Sequence, residues 1–412
     1  MLLGYVLALA GVGLAFYLRV GEIWRSGNLF YITAGEGRYA SVFVTFYAAG
    51  TIAGRVLGGS RVALYDPDLL RQTVTQLVGG QPLSAYDQVY YPPYTFLVFY
   101  LLTGLDLFNS WLAVVPAAVV VNVLLATALA RRRLSYRASL FVALAVVFNY
   151  VTCTDWRMGN VTALLLLPLQ VVFWEALRGR RFFAAGALAA VSTLKPQYSL
   201  FLLVPALLVG GWRGLIGFAG CLVGLGSVSV AAFGVGNCLD FPAALLSAEH
   251  VAASGVQVYS MQNLRGLLCC LAGHDASWVR ALSIAAQLAA LLGLVYLWLR
   301  GRREHEPSTS FDRTLAITVL SSLLFSLHTH FNDYIVAAVV CISLWNLAGS
   351  RHGCGALLLR VLILSLPGLT WAYFALVRLQ VPCQQLLFAW AVCVLAAACC
   401  YRAEGALSDV GK

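Results

Sequence analysis

The chain has 412 residues, of which 61% are hydrophobic and 11% charged, with a formal net charge of +10. Soluble domains carry about 25% charged residues, so this composition excludes a globule that faces water on every side. A positive balance can mark a nucleic-acid binder, but these arginines sit in short stretches between apolar runs, which is a membrane-topology signal, and no nucleic-acid partner is expected.

In chain order, the apolar runs fall at 2–18, 111–130, 138–152, 161–177, 183–194, 198–210, 215–233, 278–299, 314–327, 332–347, 357–375 and 383–400. Hydropathy makes these roughly twelve candidate spans. The expected fold class is an all-α polytopic membrane protein with a single membrane domain over 1–412. Its parts are an outer loop with interfacial helices over 19–110, a helix bundle over 111–400 and a cytoplasmic tail over 401–412. The first run has no basic segment before it and no clear small-residue cleavage site after it, so it reads as a retained span.

The connecting segments form two alternating classes. One holds Arg131-Arg132-Arg133, then Arg178, Arg180 and Arg181, then Arg213, then Arg300, Arg302 and Arg303, then Arg351 and Arg402. The positive-inside rule makes that face cytoplasmic and places both termini with it. The other class holds 19–110, 155–160, 195–197, 234–277 and 328–333. If 94–108 crossed the membrane, the triple arginine would fall outside, so that run reads as an interfacial or re-entrant helix. The 183–210 region reads as two short spans divided at Pro196. The alternative is one kinked span with Lys195 near mid-membrane.

Eleven cysteines are present, several inside apolar runs, and none forms a C-x-x-C pair. They read as small hydrophobes, without a metal site or disulfide framework.

The outer class gathers the residues able to do chemistry. The first segment contains Tyr47 in FVTFYAAG, Asp66 in LYDP and Tyr91 in YYPP. An aromatic belt explains single tyrosines, but two Tyr-containing turn motifs in one loop suggest a built cleft. Pro92-Pro93 removes two backbone donors and sets a rigid start for a helix at Tyr94. Asp155, Arg157 and Asn160 stand together at the head of a run, where Asn160 also reads as a helix cap. Lys195 lies at a membrane boundary beside Pro196 and Gln197. An ionisable residue at such depth is a functional candidate, and an anionic phosphate is its natural partner. Last comes Ser326-Leu-His328-Thr-His330-Phe-Asn332-Asp333. Histidine is the usual general base near neutral pH, and a neighbouring carboxylate orients it. His-x-His is also a metal pattern, but no third ligand is evident from spacing, so no metal is expected.

Read together, these motifs resemble glycosyltransferase family 87. Phe46-Tyr47-Ala48-Ala49-Gly50, Leu64-Tyr65-Asp66 and Tyr91-Pro92-Pro93 resemble its "Phe-Tyr-x-Ala-Gly … Leu-Tyr-Asp … Tyr-Pro-Pro" pattern. Gly159-Asn160 and Lys195-Pro196-Gln197 follow in order. Gln262-Asn263-Leu264 is similar to the family's "Asn-x-Ser-Leu-x-Gly" stretch, and Ser326-Leu327-His328 to its "Ser-Pro-His" segment. The resemblance covers roughly residues 40–335 and extends to the enzymes of mycobacterial phosphatidylinositol mannoside synthesis.

It implies a GT-C fold and an active site on the non-cytoplasmic face, in a bacterial inner or plasma membrane facing the periplasm or exterior. It implies inverting transfer of a hexose or pentose, mannose first, from a polyprenyl-phosphate donor to a lipid or glycan acceptor, with no cofactor. Membrane lipids are the surrounding partners. The family aspartate that serves the acceptor is matched here by Val42. The base is therefore expected among His328 or His330 held by Asp333, with Glu36 and Asp66 as the nearby carboxylates. Lys195 and Arg157 are expected on the donor phosphate. Tyr47, Tyr91, Asp155, Asn160, Gln197 and Asn263 are expected to line the cleft. Two other readings stay open: a flippase or transporter of a lipid-linked sugar, since Pro196 and the short spans resemble broken helices, and a catalytically silent relative.

Overall fold

The computed structural model describes residues 41–78, 89–132, 134–135, 139, 159–247, 261–301, 307–349, 354–379, 381 and 385–400. Expectations for Glu36, Asp155 and Arg157, and for the runs at 2–18 and 138–152, lie outside these residues.

Every extended element among the described residues is a helix. The chain divides into two compact units, one formed by 1–124 with 150–258 and the other by 125–149 with 259–412.

The first unit begins with α1 (Ser41–Leu57), α2 (Pro67–Leu77) and α3 (Pro93–Leu102). The described part of 19–110 is thus largely helical. Each start has a local cause. Asp66 caps α2, its Oδ1 accepting from the amides of Asp68 at 2.9 Å and Leu69 at 3.1 Å, with Pro67 at the first helical position. Pro93 opens α3 in the same way, its missing N–H being one that the first turn leaves unused. With 10 residues, α3 is only about 15 Å long, half of what a hydrocarbon core demands. Aromatic packing joins these helices: Phe46 stacks on Phe99 with centroids 4.6 Å apart, and Phe96 meets Tyr65 edge-on at 5.2 Å.

After α3 comes α4 (Leu107–Ala130), then α5 (Val161–Arg178) and α6 (Phe182–Val191). A 3-10 turn, Ser192–Leu194, leads into α7 (Pro196–Ser247). α7 is not one rod. Gly211 (φ 57°, ψ −141°) and Gly234 (φ 78°, ψ 162°) leave helical geometry and divide it into 196–210, 212–233 and 235–247. The chain reverses at Lys195, because Ser199 Oγ donates to the Ala189 carbonyl at 2.8 Å and Gly210 faces Phe182. It bends sharply at Gly211, where Gly214 lies on the Ala206 carbonyl. The region 183–210 is therefore two antiparallel helices, not one kinked rod. Beyond Gly234, helix replaces the first part of the loop expected over 234–277.

The second unit contains α8 (Leu264–Ala272), α9 (Ser277–Gly301), α10 (Pro307–Phe325), a 3-10 turn Phe331–Val336, α11 (Ala337–Gly349), α12 (Cys354–Arg378) and α13 (Leu386–Cys400). Its core is strongly apolar along α10 and α11, where Leu320, Leu323, Val339 and Val340 are fully buried.

Among the described residues, α4, α9 and the 212–233 piece of α7 are long and apolar enough to cross a membrane. Their outward residues are large and apolar: Leu124 is 62% exposed, Trp212 68% and Leu292 71%. Apolar surface on this scale is costly in water and suits hydrocarbon, so the exterior is that of an integral membrane protein.

Candidate active site

The expected site residues fall into two sets, one in each unit. In the first unit, Lys195 sits at the tip of the α6–α7 hairpin. Its backbone is extended (φ −124°, ψ 91°), as a residue before proline must be. Its N–H donates to Ser192 and its carbonyl accepts from Tyr198, so both backbone groups are committed to the turn. The side chain is half-buried, as is that of Gln197. Tyr94, the second residue of α3, reaches the same tip. Its hydroxyl lies 3.0 Å from Thr193 Oγ1 and donates to the Val191 carbonyl at 3.3 Å. The Tyr-Tyr-Pro-Pro helix is thereby fastened to the strap that carries Lys195. This contact joins two motifs that the sequence only places in order.

Tyr91 packs its ring edge-on against Phe46 at 5.6 Å and Phe99 at 5.9 Å, and its carbonyl accepts from the Tyr65 hydroxyl at 2.6 Å. Tyr47 is buried, and its hydroxyl donates to the Leu105 carbonyl at 2.8 Å, tying α1 to the turn before α4. Val42, where the resemblance led one to expect an aspartate, is buried on α1. Asn160 is buried immediately before α5. The glycine preceding it has a structural reason. Gly159 holds φ +62°, and a Cβ there would stand 2.6 Å from the Phe43 Cβ. Both the left-handed backbone and the touching phenylalanine require hydrogen at that position.

In the second unit the structure brings together residues about seventy positions apart. Met261 and His330 form an antiparallel bridge, and the Gln262 amide donates to the Thr329 carbonyl at 2.8 Å. Asn263 is fully buried between them and α8. Its Oδ1 caps α8 by accepting from the Gly266 amide at 2.9 Å, while its Nδ2 donates to the Ser326 carbonyl at 2.7 Å. One asparagine thus starts a helix and closes a long-range contact. The Tyr334 hydroxyl adds a bond to the Gln262 carbonyl at 2.8 Å, and Ser326 and Thr329 share a short hydroxyl contact.

His328 and His330 protrude from this paired segment, both half-buried, and His328 Nδ1 is itself buried. Asp333 is buried against His330. Its Oδ2 accepts from the His330 amide at 3.1 Å, and its own amide donates back to the His330 carbonyl at 3.0 Å. These bonds join Asp333 to the His330 backbone rather than to its ring, and fix His330 at the head of the 3-10 turn. Among the described residues, no three of His, Cys, Asp and Glu converge as a metal site would require.

One charged cluster has no counterpart in the sequence expectations. Asp275, in the turn between α8 and α9, accepts from Arg265 at 2.7 Å and from Arg280 at 2.8 Å. Burial raises its pKa, but the two guanidiniums outweigh that and hold it below the usual carboxylate value. Arg265 is buried in the first turn of α8, so the cluster anchors the helix that Asn263 caps.

The model of glycosyltransferase family 87 matches residues 90–326. That stretch runs from the Tyr-Tyr-Pro-Pro segment through the Lys195 hairpin and Asn263 to Ser326. No curated protein matches the chain.

Proposed function

The chain belongs to glycosyltransferase family 87, and on that premise we propose that it is an inverting membrane glycosyltransferase. It moves a hexose or pentose, mannose first, from a polyprenyl-phosphate donor to a hydroxyl of a lipid or glycan acceptor on the non-cytoplasmic face. The fold is of GT-C type with about twelve spans. The observation that carries this reading is the family match, because it takes in both the Lys195 hairpin and the Asn263 segment.

The chemistry needs a base, a cation and a shaped apolar surround. The base takes the proton of the acceptor hydroxyl as its oxygen attacks the anomeric carbon. The bond from that carbon to the phosphate oxygen breaks, the electron pair leaves with the phosphate, and the configuration inverts. The transition state is oxocarbenium-like, as in other reactions at an anomeric centre. His328 or His330 takes the proton in this reading. Two observations support them: they stand on a segment pinned by Asn263 and Tyr334, and the buried Asp333 fixes the His330 backbone. Glu36 and Asp66 are the carboxylate alternatives. Asp66 already spends one oxygen on the α2 cap, which weakens its case. Lys195 and Arg157 neutralise the departing phosphate, a role whose value grows in a low-dielectric setting. Tyr47, Tyr91, Asp155, Asn160, Gln197 and Asn263 shape the cleft, Tyr47 and Asn263 through the structural bonds described above. The apolar exterior receives the prenyl chain.

The roles are tested in liposomes with radiolabelled polyprenyl-phosphate mannose. Lys195→Ala is expected to lower kcat about 10²–10³-fold. His328→Ala or His330→Ala, whichever removes the base, is expected to lower it about 10²–10⁴-fold. Undiminished transfer by all three variants would sink this assignment.

A further inference from the structure

The last helix brings one more side chain to the paired segments of the second unit. Gln385 immediately precedes α13. Its Nε2 donates to the Met261 carbonyl at 3.0 Å and lies 3.9 Å from Cys270 Sγ. Met261 is the residue that bridges to His330. This bond fixes which way the amide points. A carbonyl can only accept, so the nitrogen must face Met261 and Oε1 must face away from it. Oε1 is buried and receives no hydrogen bond. Asn332, two residues beyond His330 on the 3-10 turn, likewise keeps its Oδ1 buried without a partner.

A buried amide oxygen left without a donor is costly. Two such oxygens, one on the side chain bonded to Met261 and one two residues beyond His330, would be a defect in a pure scaffold. They become useful where a ligand brings donors. Both atoms accept and neither donates, which selects the ligand chemistry. Phosphate oxygens, being acceptors, find no partner in them. Sugar hydroxyls do, because each can donate one proton.

We propose that Gln385 Oε1, together with Asn332 Oδ1, accepts hydrogen bonds from hydroxyls of the transferred sugar and so helps decide which sugar is used. This rests on the glycosyltransferase reading above and adds a residue near the C-terminal end of the chain that lies beyond the family match. Gln385 is then a specificity-determining residue. Its Nε2 holds it in place, and its Oε1 reads the sugar.

The test uses the full-length protein in liposomes with polyprenyl-phosphate mannose and its 2-, 3-, 4- and 6-deoxy forms. The wild type is expected to lose about 10- to 100-fold in kcat/KM for at least one deoxy sugar, because the acceptor is then left unmade. Gln385→Met should lower transfer of the intact sugar and bring that one ratio towards unity. An amide that only staples Met261 would lower all sugars alike and leave every ratio unchanged, which overturns the proposal. If Gln385→Met does not fold, as judged by size-exclusion in detergent, Asn332→Leu is read in the same way. The wild-type series also decides without any variant: equal kcat/KM for all deoxy sugars overturns the proposal while leaving the glycosyltransferase reading intact. Absence of transfer from polyprenyl-phosphate mannose and arabinose alike removes that reading, and this proposal with it.

Discussion

Gly159 is held by two constraints at once, a left-handed backbone and the Phe43 side chain. Gly159→Ala is expected to cost about 1–3 kcal/mol, through strain at positive φ and overpacking against Phe43. Thermal unfolding in detergent measures it, and an unchanged midpoint would contradict the account. Asp275 carries a second expectation. The two guanidiniums hold its folded pKa below the usual aspartate value. A depressed carboxylate contributes stability above its unfolded pKa and loses it as the pH falls through the folded value. Wild-type stability should therefore fall between about pH 5 and pH 2 by more than that of Asp275→Asn, and equal acid profiles would show that the arginine pair adds nothing. At neutral pH, removing the carboxylate leaves Arg265 buried without its ion-pair partner and should cost on the order of 3 kcal/mol. At this scale the sequence is ambiguous for a physical reason. Aspartate and asparagine look alike whether they cap a helix or hold a ligand. Asp66 and Asn263 were legible as polar residues in an apolar chain, yet the capping bonds that occupy them depend on backbone positions no motif states. Gln385 and the Arg265–Asp275–Arg280 cluster carried no signal, because their partners lie in other elements or in turns of no distinctive composition.

Helix positions were readable, and so were some of the breaks. The apolar runs at 161–177, 278–299 and 357–375 correspond closely to α5, α9 and α12, since burial in core or lipid demands the same residues. The breaks at Gly211 and Gly234 fall where the runs 198–210 and 215–233 were expected to end, but the helix that resumes over 235–247 carried no apolar run and was read as loop. The helical hairpin also rests on bare backbone contact. A Cβ at Gly186 would lie 2.0 Å from the Gly214 carbonyl oxygen, whereas one at Gly220 would meet nothing within 4 Å. Gly186→Val should therefore push α6 away from the 212–233 helix and destabilise the protein by about 1–3 kcal/mol or more, while Gly220→Val should have little effect. Equal unfolding midpoints for the two variants would refute this packing. Because Lys195 sits at the tip of the same hairpin, Gly186→Val should also lower transfer without touching any polar group.

At the scale of the whole chain, composition already required a membrane setting, and α4, α9 and the 212–233 piece of α7 satisfy it in length and surface. The ordered motifs were specific enough to indicate the family, and the family match bears that out over residues 90–326. What no apolar pattern encodes is sidedness of chemistry and choice of substrate, because these depend on a few polar atoms. The central claim is that this architecture transfers a lipid-linked sugar. The most direct measurement places the purified protein in liposomes with radiolabelled polyprenyl-phosphate mannose and an extract of acceptor lipids, without nucleotide sugar. Label should appear in a glycosylated acceptor with inverted anomeric configuration, and Lys195→Ala should nearly abolish it. Label crossing the bilayer, or bound donor, with no glycosylated product would contradict the account.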